Sequence, residues 1–136
     1  MRISAARFLQ RAKTGTLGCN KGTVVPESAK FTKRERALLR HLATRAWELE
    51  LEDVLESLFE DFGKWADKSM SCFDLSDKIH EFHNGTSREL YGRYMGLEPA
   101  IAVSRAVALG ILSEPEVGAE LLKKLEREIA VFREHS

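Results

Sequence analysis

Three times along this chain a hydroxyl residue stands three positions ahead of a glutamate: Thr32–Glu35, Thr86–Glu89 and Ser113–Glu116. In that spacing the hydroxyl accepts from the backbone amide three residues on, and the glutamate reaches back to the amide of the cap. Both bonds satisfy donors that a helix start leaves orphaned. Asp74-Leu-Ser-Asp77 is a weaker version of the same pattern. Stop signals are equally legible. Asn84-Gly85, Gly96 and Gly110 supply residues that tolerate the left-handed conformation at a helix end, and Pro99 suits a first helical turn. No segment sustains period-two alternation with β-branched residues, and the brief alternation over Trp47–Leu51 sits inside helical periodicity. The expected fold is all-α, a compact bundle of about five helices. The expected helices cover roughly residues 3–12, 33–67 with a bend or break, 75–83, 87–95, 99–109 and 114–134.

Length and charge set the organisation. A chain of 136 residues with 43% hydrophobic content is enough for one self-sufficient core. The formal net charge is zero, which argues against a generic binder of nucleic acid or of anionic membranes. The charge is unevenly spread, however. Residues 1–26 carry Arg2, Arg7, Arg11, Lys13 and Lys21 and no acid, so the remainder of the chain is at −5. This predicts a basic N-terminal arm with a Gly/Thr/Ser-rich linker over residues 1–30, and a helical domain over 31–136. Lys21-Gly22-Thr23 has the wrong order for a phosphate-binding loop, and no strand precedes it.

Two cysteines, Cys19 and Cys72, stand far apart, which excludes a disulfide framework and points to a reducing cytoplasm. No apolar run approaches the roughly 18–20 residues that span a bilayer. Arg7, Arg11 and Lys13 interrupt any secretory apolar stretch. The acid-free arm overlaps in composition with organellar transit peptides, but nothing else in the chain points to an organelle.

Two helices carry information about burial. In 33–67, Leu38, Leu42, Ala46 and Leu49 cluster on one side, whereas Leu51, Leu55, Leu58, Phe62 and Trp65 cluster on nearly the opposite side. Either the helix breaks, or a continuous helix presents its two halves to different bodies. An internal core is the first expectation and a homodimer seam the second. The 99–109 segment is apolar almost all round, as suits a helix in the middle of a bundle. Its one charge, Arg105, must therefore emerge at an edge or meet a carboxylate. The last helix is amphipathic through Val117, Leu121, Leu125, Ile129 and Phe132, with Glu120–Lys124 as a surface pair.

Polar and aromatic residues concentrate in DLSDKIHEFHNGTSRELYGRY, residues 74–94. Asp77, His80 and His83 follow i,i+3 spacing, so neighbouring members can share a metal ion, with Cys72 or His41 as a further ligand. There is no HExxH and no Glu-x-x-His pair. His83, Arg88, Tyr91 and Arg105 form a second candidate set, one that would surround an anionic small molecule. The dull reading takes Leu75, Ile79, Phe82, Leu90 and both tyrosines as core, His83 as its flank and His80 as solvated. Nucleophilic catalysis has no support, since Cys72 has no motif around it. No cofactor is required by any motif.

Glu48, Glu52, Glu56 and Glu60 form an i,i+4 acidic ladder, a mildly destabilising arrangement that invites a basic partner, the arm included. The 74–94 run, followed by the apolar AIAVSRAVALGIL and an amphipathic last helix, resembles small bacterial all-helical proteins without an assigned activity. That resemblance covers roughly residues 31–136 and implies no chemistry. The expectation for function is a non-enzymatic helical protein acting through protein–protein interaction or regulation. The alternative is a small-ligand- or metal-binding protein centred on His80, His83, Arg88 and Arg105.

Overall fold

A computed structural model of the protein describes residues 30–136. The expected helix over 3–12 and the linker up to residue 29 lie outside the described residues. Within them the protein is all-α and contains no strand. Helix α1 runs over Lys33–Ala66, α2 over Cys72–Glu81, α3 over Ser87–Gly96, α4 over Pro99–Ala108, α5 over Glu114–Val117 and α6 over Ala119–Glu134. A π-helical segment, Phe82–Thr86, joins α2 to α3.

Two of the three capping boxes form as the spacing requires. At the start of α1, Thr32 Oγ1 accepts from the Glu35 amide at 3.1 Å and the Thr32 amide donates to Glu35 Oε2 at 2.7 Å. Ser113 and Glu116 close the second box before α5, where the Ser113 amide and Oγ both donate to Glu116 Oε2, at 2.9 and 2.7 Å. The third expectation is corrected. Thr86 adopts a helical backbone with no side-chain cap, and the chain does not turn at Asn84-Gly85. Instead α2 continues into α3 through the π segment, which absorbs one extra residue without ending the helix. The cap of α2 is also displaced. Ser71, not Asp74, caps it, with Ser71 Oγ accepting from the Asp74 amide at 3.1 Å.

Left-handed positions end the helices only where the backbone needs them. Gly110 has φ +74°, and the amides of Gly110 and Ile111 donate back to Val107 and Ala106, a paired cap that finishes α4. The same pattern ends α1, where Lys68 takes the glycine-like position at φ +68° while Lys68 and Ser69 donate to Trp65 and Lys64. Asp67 Oδ1 accepts from the Ser69 amide at 2.9 Å and tightens this turn. Gly96 ends α3 without a positive φ. The expected single helix over 114–134 is divided, because Gly118 at φ +89° separates α5 from α6.

The core explains the order of the elements. Helix α4 lies between α1 and α6 and buries Ala100, Ala102, Val103, Ala106 and Val107. Its small side chains let both neighbours approach closely, the arrangement expected for a helix apolar almost all round. Leu39, Leu42 and Ala46 meet it from α1, Leu121, Leu125 and Ile129 from α6, and Leu90 and Tyr94 from α3. Leu39 rather than Leu38 occupies the core, and Leu38 is exposed. Ser104, buried among these groups, donates to the Ala100 carbonyl at 2.7 Å and so leaves no orphaned hydroxyl. Lys124 is drawn across to Glu35 at 2.8 Å, and that long-range pair replaces the expected Glu120–Lys124 pair.

Helix α1 is continuous through the point where its apolar face flips. Its first half packs into the bundle, and its second half pairs with α2 to form a helical hairpin. Leu51, Val54 and Leu58 are half-buried there and Leu75 is buried. The rest of the apolar arc faces outward. Leu55, Phe59, Phe62, Trp65, Phe73 and Ile79 are all exposed, with Phe59 at 77% and Phe73 at 79% of their full surface. Most of the exposed large hydrophobic side chains among the described residues belong to this one hairpin.

Candidate functional site

The densest polar convergence is built by three helices around Glu50. This residue stands on the buried stripe of α1, four positions after Ala46 and four before Val54, so it enters the bundle as a lone carboxylate among apolar neighbours. Arg105, on α4, meets it with both guanidinium arms: Nη1 donates to Oε2 and Nη2 to Oε1, each at 3.2 Å. Tyr94, on α3, donates its hydroxyl to Oε2 at 2.6 Å. Arg93 Nη1 lies 3.6 Å from Oε1. One turn before Glu50, Trp47 stacks on Tyr94 with ring centroids 6.1 Å apart and meets the edge of Tyr91 at 5.9 Å. Aromatic walls thus cover one side of a charge cluster whose side chains are only 17–18% exposed at Arg105 and Glu50.

These contacts set the proton affinities. Burial pushes the Glu50 carboxyl up, but the hydrogen bonds from Arg105 and Tyr94 and the charges of Arg105 and Arg93 outweigh it. The carboxyl therefore sits below its ordinary value. Tyr94 is raised, first by burial and then by its hydrogen bond to the Glu50 carboxylate. Near neutral pH the carboxylate is thus ionised and the phenol intact. A general acid or base needs a proton affinity close to the working pH, and this pair is displaced away from it on both sides. The cluster is suited to clamping α1, α3 and α4 together, and of the two expectations for Arg105, an edge or a carboxylate, it is the carboxylate that the structure supplies.

The residues singled out from sequence are placed apart. Asp77, His80 and His83 are exposed along α2 and the π segment, and His41 and Cys72 are exposed as well. Among the described residues, no group of three His, Cys, Asp or Glu side chains is arranged to hold a metal ion. Arg88 is exposed, Tyr91 half-buried against Trp47, and Arg105 engaged by Glu50. Leu75 and Tyr94 lie inside, whereas Ile79 is exposed and Phe82 only half-buried. His83 therefore does not flank a core face. An open groove along α6, reaching Glu114, Leu122, Lys123, Glu126 and Arg133, contains none of these candidates. Glu50 is the residue that sequence reasoning missed. Its signal was its register, since it breaks the i,i+4 acidic ladder by two positions and falls on the spacing of Leu42, Ala46 and Val54.

The ladder is exposed along α1. Arg45 Nη1 lies 2.7 Å from Glu48 Oε2, while Glu52, Glu56 and Glu60 form no ion pair among the described residues. At 100° per residue the ladder runs beside Leu55, Phe59 and Phe62. Residues 51–81, which make up the hairpin, contain nine acidic side chains against three lysines, a net charge of −6. The hairpin is thus both apolar and strongly anionic. No helix among the described residues is long and apolar enough to cross a membrane. Comparison with protein-family models, with curated proteins and with solved structures finds no match to the chain.

Proposed function

We propose that this protein is a non-enzymatic interaction or regulatory module whose contact element is the α1–α2 hairpin. The observation that carries this reading is that Leu55, Phe59, Phe62, Trp65 and Phe73 are all exposed on this hairpin, which holds most of the exposed large hydrophobic side chains among the described residues. Scattered apolar residues are ordinary at a protein surface, but a contiguous set with a polar rim marks a contact surface. The acidic ladder beside it favours a partner with a basic flank, since complementary charge steers association and rejects anionic competitors. A cytoplasmic setting accords with two cysteines that stand far apart. The ligand-binding alternative around His80, His83, Arg88 and Arg105 has less behind it, because Arg105 is already engaged by Glu50.

The test uses a synthetic amphipathic helical peptide with a leucine face and lysine flanks, titrated into the full chain. Trp65, 47% exposed at the end of the face, reports binding by fluorescence. Saturable binding that weakens with salt and is lost in Phe59→Asp is the expected result. A chain that binds no such peptide, and whose mass in solution is that of a monomer at every concentration, overturns the reading.

A further inference from the structure

We propose that two copies of the chain pair antiparallel along the outer side of α1, so that the basic first half of each helix lies on the apolar, acidic second half of the other. The proposal rests on the reading of the hairpin as a contact surface and names its partner as a second copy.

Charge on α1 is segregated by position. Residues 33–45 carry five basic side chains against one acid, a net charge of +4. That one acid, Glu35, is paired with Lys124 at 2.8 Å. Residues 46–66 carry seven acids against one lysine, a net charge of −6. The helix is continuous, and its two halves share an outer side. At about 100° per residue, Arg34, His41 and Arg45 fall in the same arc as Leu55, Phe59 and Phe62. Arg34 and His41 are exposed there and Arg45 is half-buried, while the core residues Leu39, Leu42 and Ala46 point the other way. Lys33, Arg34 and Arg40 form no ion pair among the described residues, just as Glu52, Glu56 and Glu60 form none.

This pattern complements itself in one direction only. A parallel pair sets +4 on +4 and −6 on −6, and two hairpins laid face to face also bring acid to acid. In an antiparallel pair about a two-fold axis, the same edge of each helix meets. Arg34 and Arg45 stand on the edge that holds Glu52 and Glu56, so the pairing sets bases beside acids. With the axis at the middle of α1, near Glu50, Arg45 comes level with the partner's Leu55, between Glu52 and Glu56. His41 comes level with Phe59, and the exposed Leu38 with Phe62. Arg34 reaches the partner's helix end at Ala66 and Asp67, where a cation is favoured. Beside the axis Glu48 meets the partner's Glu52, and Arg45, 2.7 Å from Glu48, supplies the counter-charge.

The experiment measures the mass of the full chain by sedimentation across a range of concentrations. The wild type is expected to pass from monomer to dimer, and salt to favour the monomer. Arg34→Glu/Arg45→Glu and Glu52→Lys/Glu56→Lys should each weaken the dimer at least about tenfold. An equimolar mixture of the two should dimerise again, because each basic half then faces an acidic one. Direction is read on the otherwise wild-type chain, where Cys19→Ser leaves the exposed Cys72 as the single thiol for a nitroxide label. Two labels in the antiparallel pair stand about 50 Å apart, the length of α1, against roughly half that for hairpin on hairpin. The shorter distance overturns the proposal, as does a dimer indifferent to both charge variants or a mixture of helical variants that stays monomeric. A wild type that is monomeric throughout overturns it too. If that monomer binds the lysine-flanked peptide, the contact-surface reading stands, and if it binds none, that reading falls as well.

Discussion

Glu50 is where three helices are held in register, and its removal tests that claim at the level of one side chain. Glu50→Gln keeps the size of the group but leaves Arg105 without its counter-ion. The expected cost is about 2 kcal/mol at neutral pH, the scale of a hydrogen bond to a charged group, read by urea denaturation. The pH dependence follows from the direction of the shift. Glu50 lies below its ordinary value of 4.5 in the folded protein. It therefore contributes stability above pH 4.5 and loses it as pH falls through the lower folded value. The deficit of Glu50→Gln should accordingly shrink in acid, and a deficit that stays constant from pH 7 into strong acid would show that the carboxylate's charge is not what matters. Lys68 offers a second test at this scale. It holds a left-handed backbone at φ +68° with a Cβ that disfavours it. Lys68→Gly should stabilise the hairpin turn by up to about 1 kcal/mol, seen as a higher melting temperature.

At the scale of the element, the junction between α2 and α3 is the informative one. Asn84-Gly85 reads as a stop, and in many chains it would be one, because glycine and asparagine accept the left-handed backbone that ends a helix. Here Gly85 keeps a negative φ inside the π segment, and a Cβ added to it would meet nothing within 4 Å. Gly85→Ala should then stabilise the protein by about 0.5–1 kcal/mol, as alanine does in place of glycine within a helix. A turn at this position would give the opposite sign. Gly118→Ala is the matched control. Space is equally open there, but φ +89° strains any side chain, so destabilisation of about 1 kcal/mol or more is expected. Thermal melts of the two variants, compared with the parent, decide between these readings.

For the whole molecule, the bundle and the hairpin are different kinds of surface. The bundle closes Leu39, Val103, Leu112 and Leu125 almost entirely from solvent, whereas the hairpin leaves aromatic rings outside. Leu125→Ala should cost about 2–5 kcal/mol through the cavity it opens. Phe59→Asp should alter stability by no more than about 0.5 kcal/mol if the face is bare in the folded chain. A larger loss at Phe59, measured by denaturant unfolding of the full chain, would mean that something within the molecule already packs on it. Solubility should rise in Phe59→Asp in either case, since the largest exposed apolar set is interrupted.

The sequence alone determined the all-α class, the helix starts at Thr32 and Ser113, the stop at Gly110 and the central burial of α4. Each of these rests on bonds or periodicities that span three or four residues, so nearby side chains settle them. The sequence also announced that α1 changes face and that Arg105 must either emerge at an edge or meet a carboxylate. Only the tertiary structure decided the outcomes. Arg105 finds Glu50 from 55 positions away, packing of α2 and α3 along α1 carries the helix through Asn84-Gly85, and no described residue covers the outer arc of the hairpin. Local propensity proposes a cap or a stop at small cost either way, and the burial of whole helices against one another outweighs it.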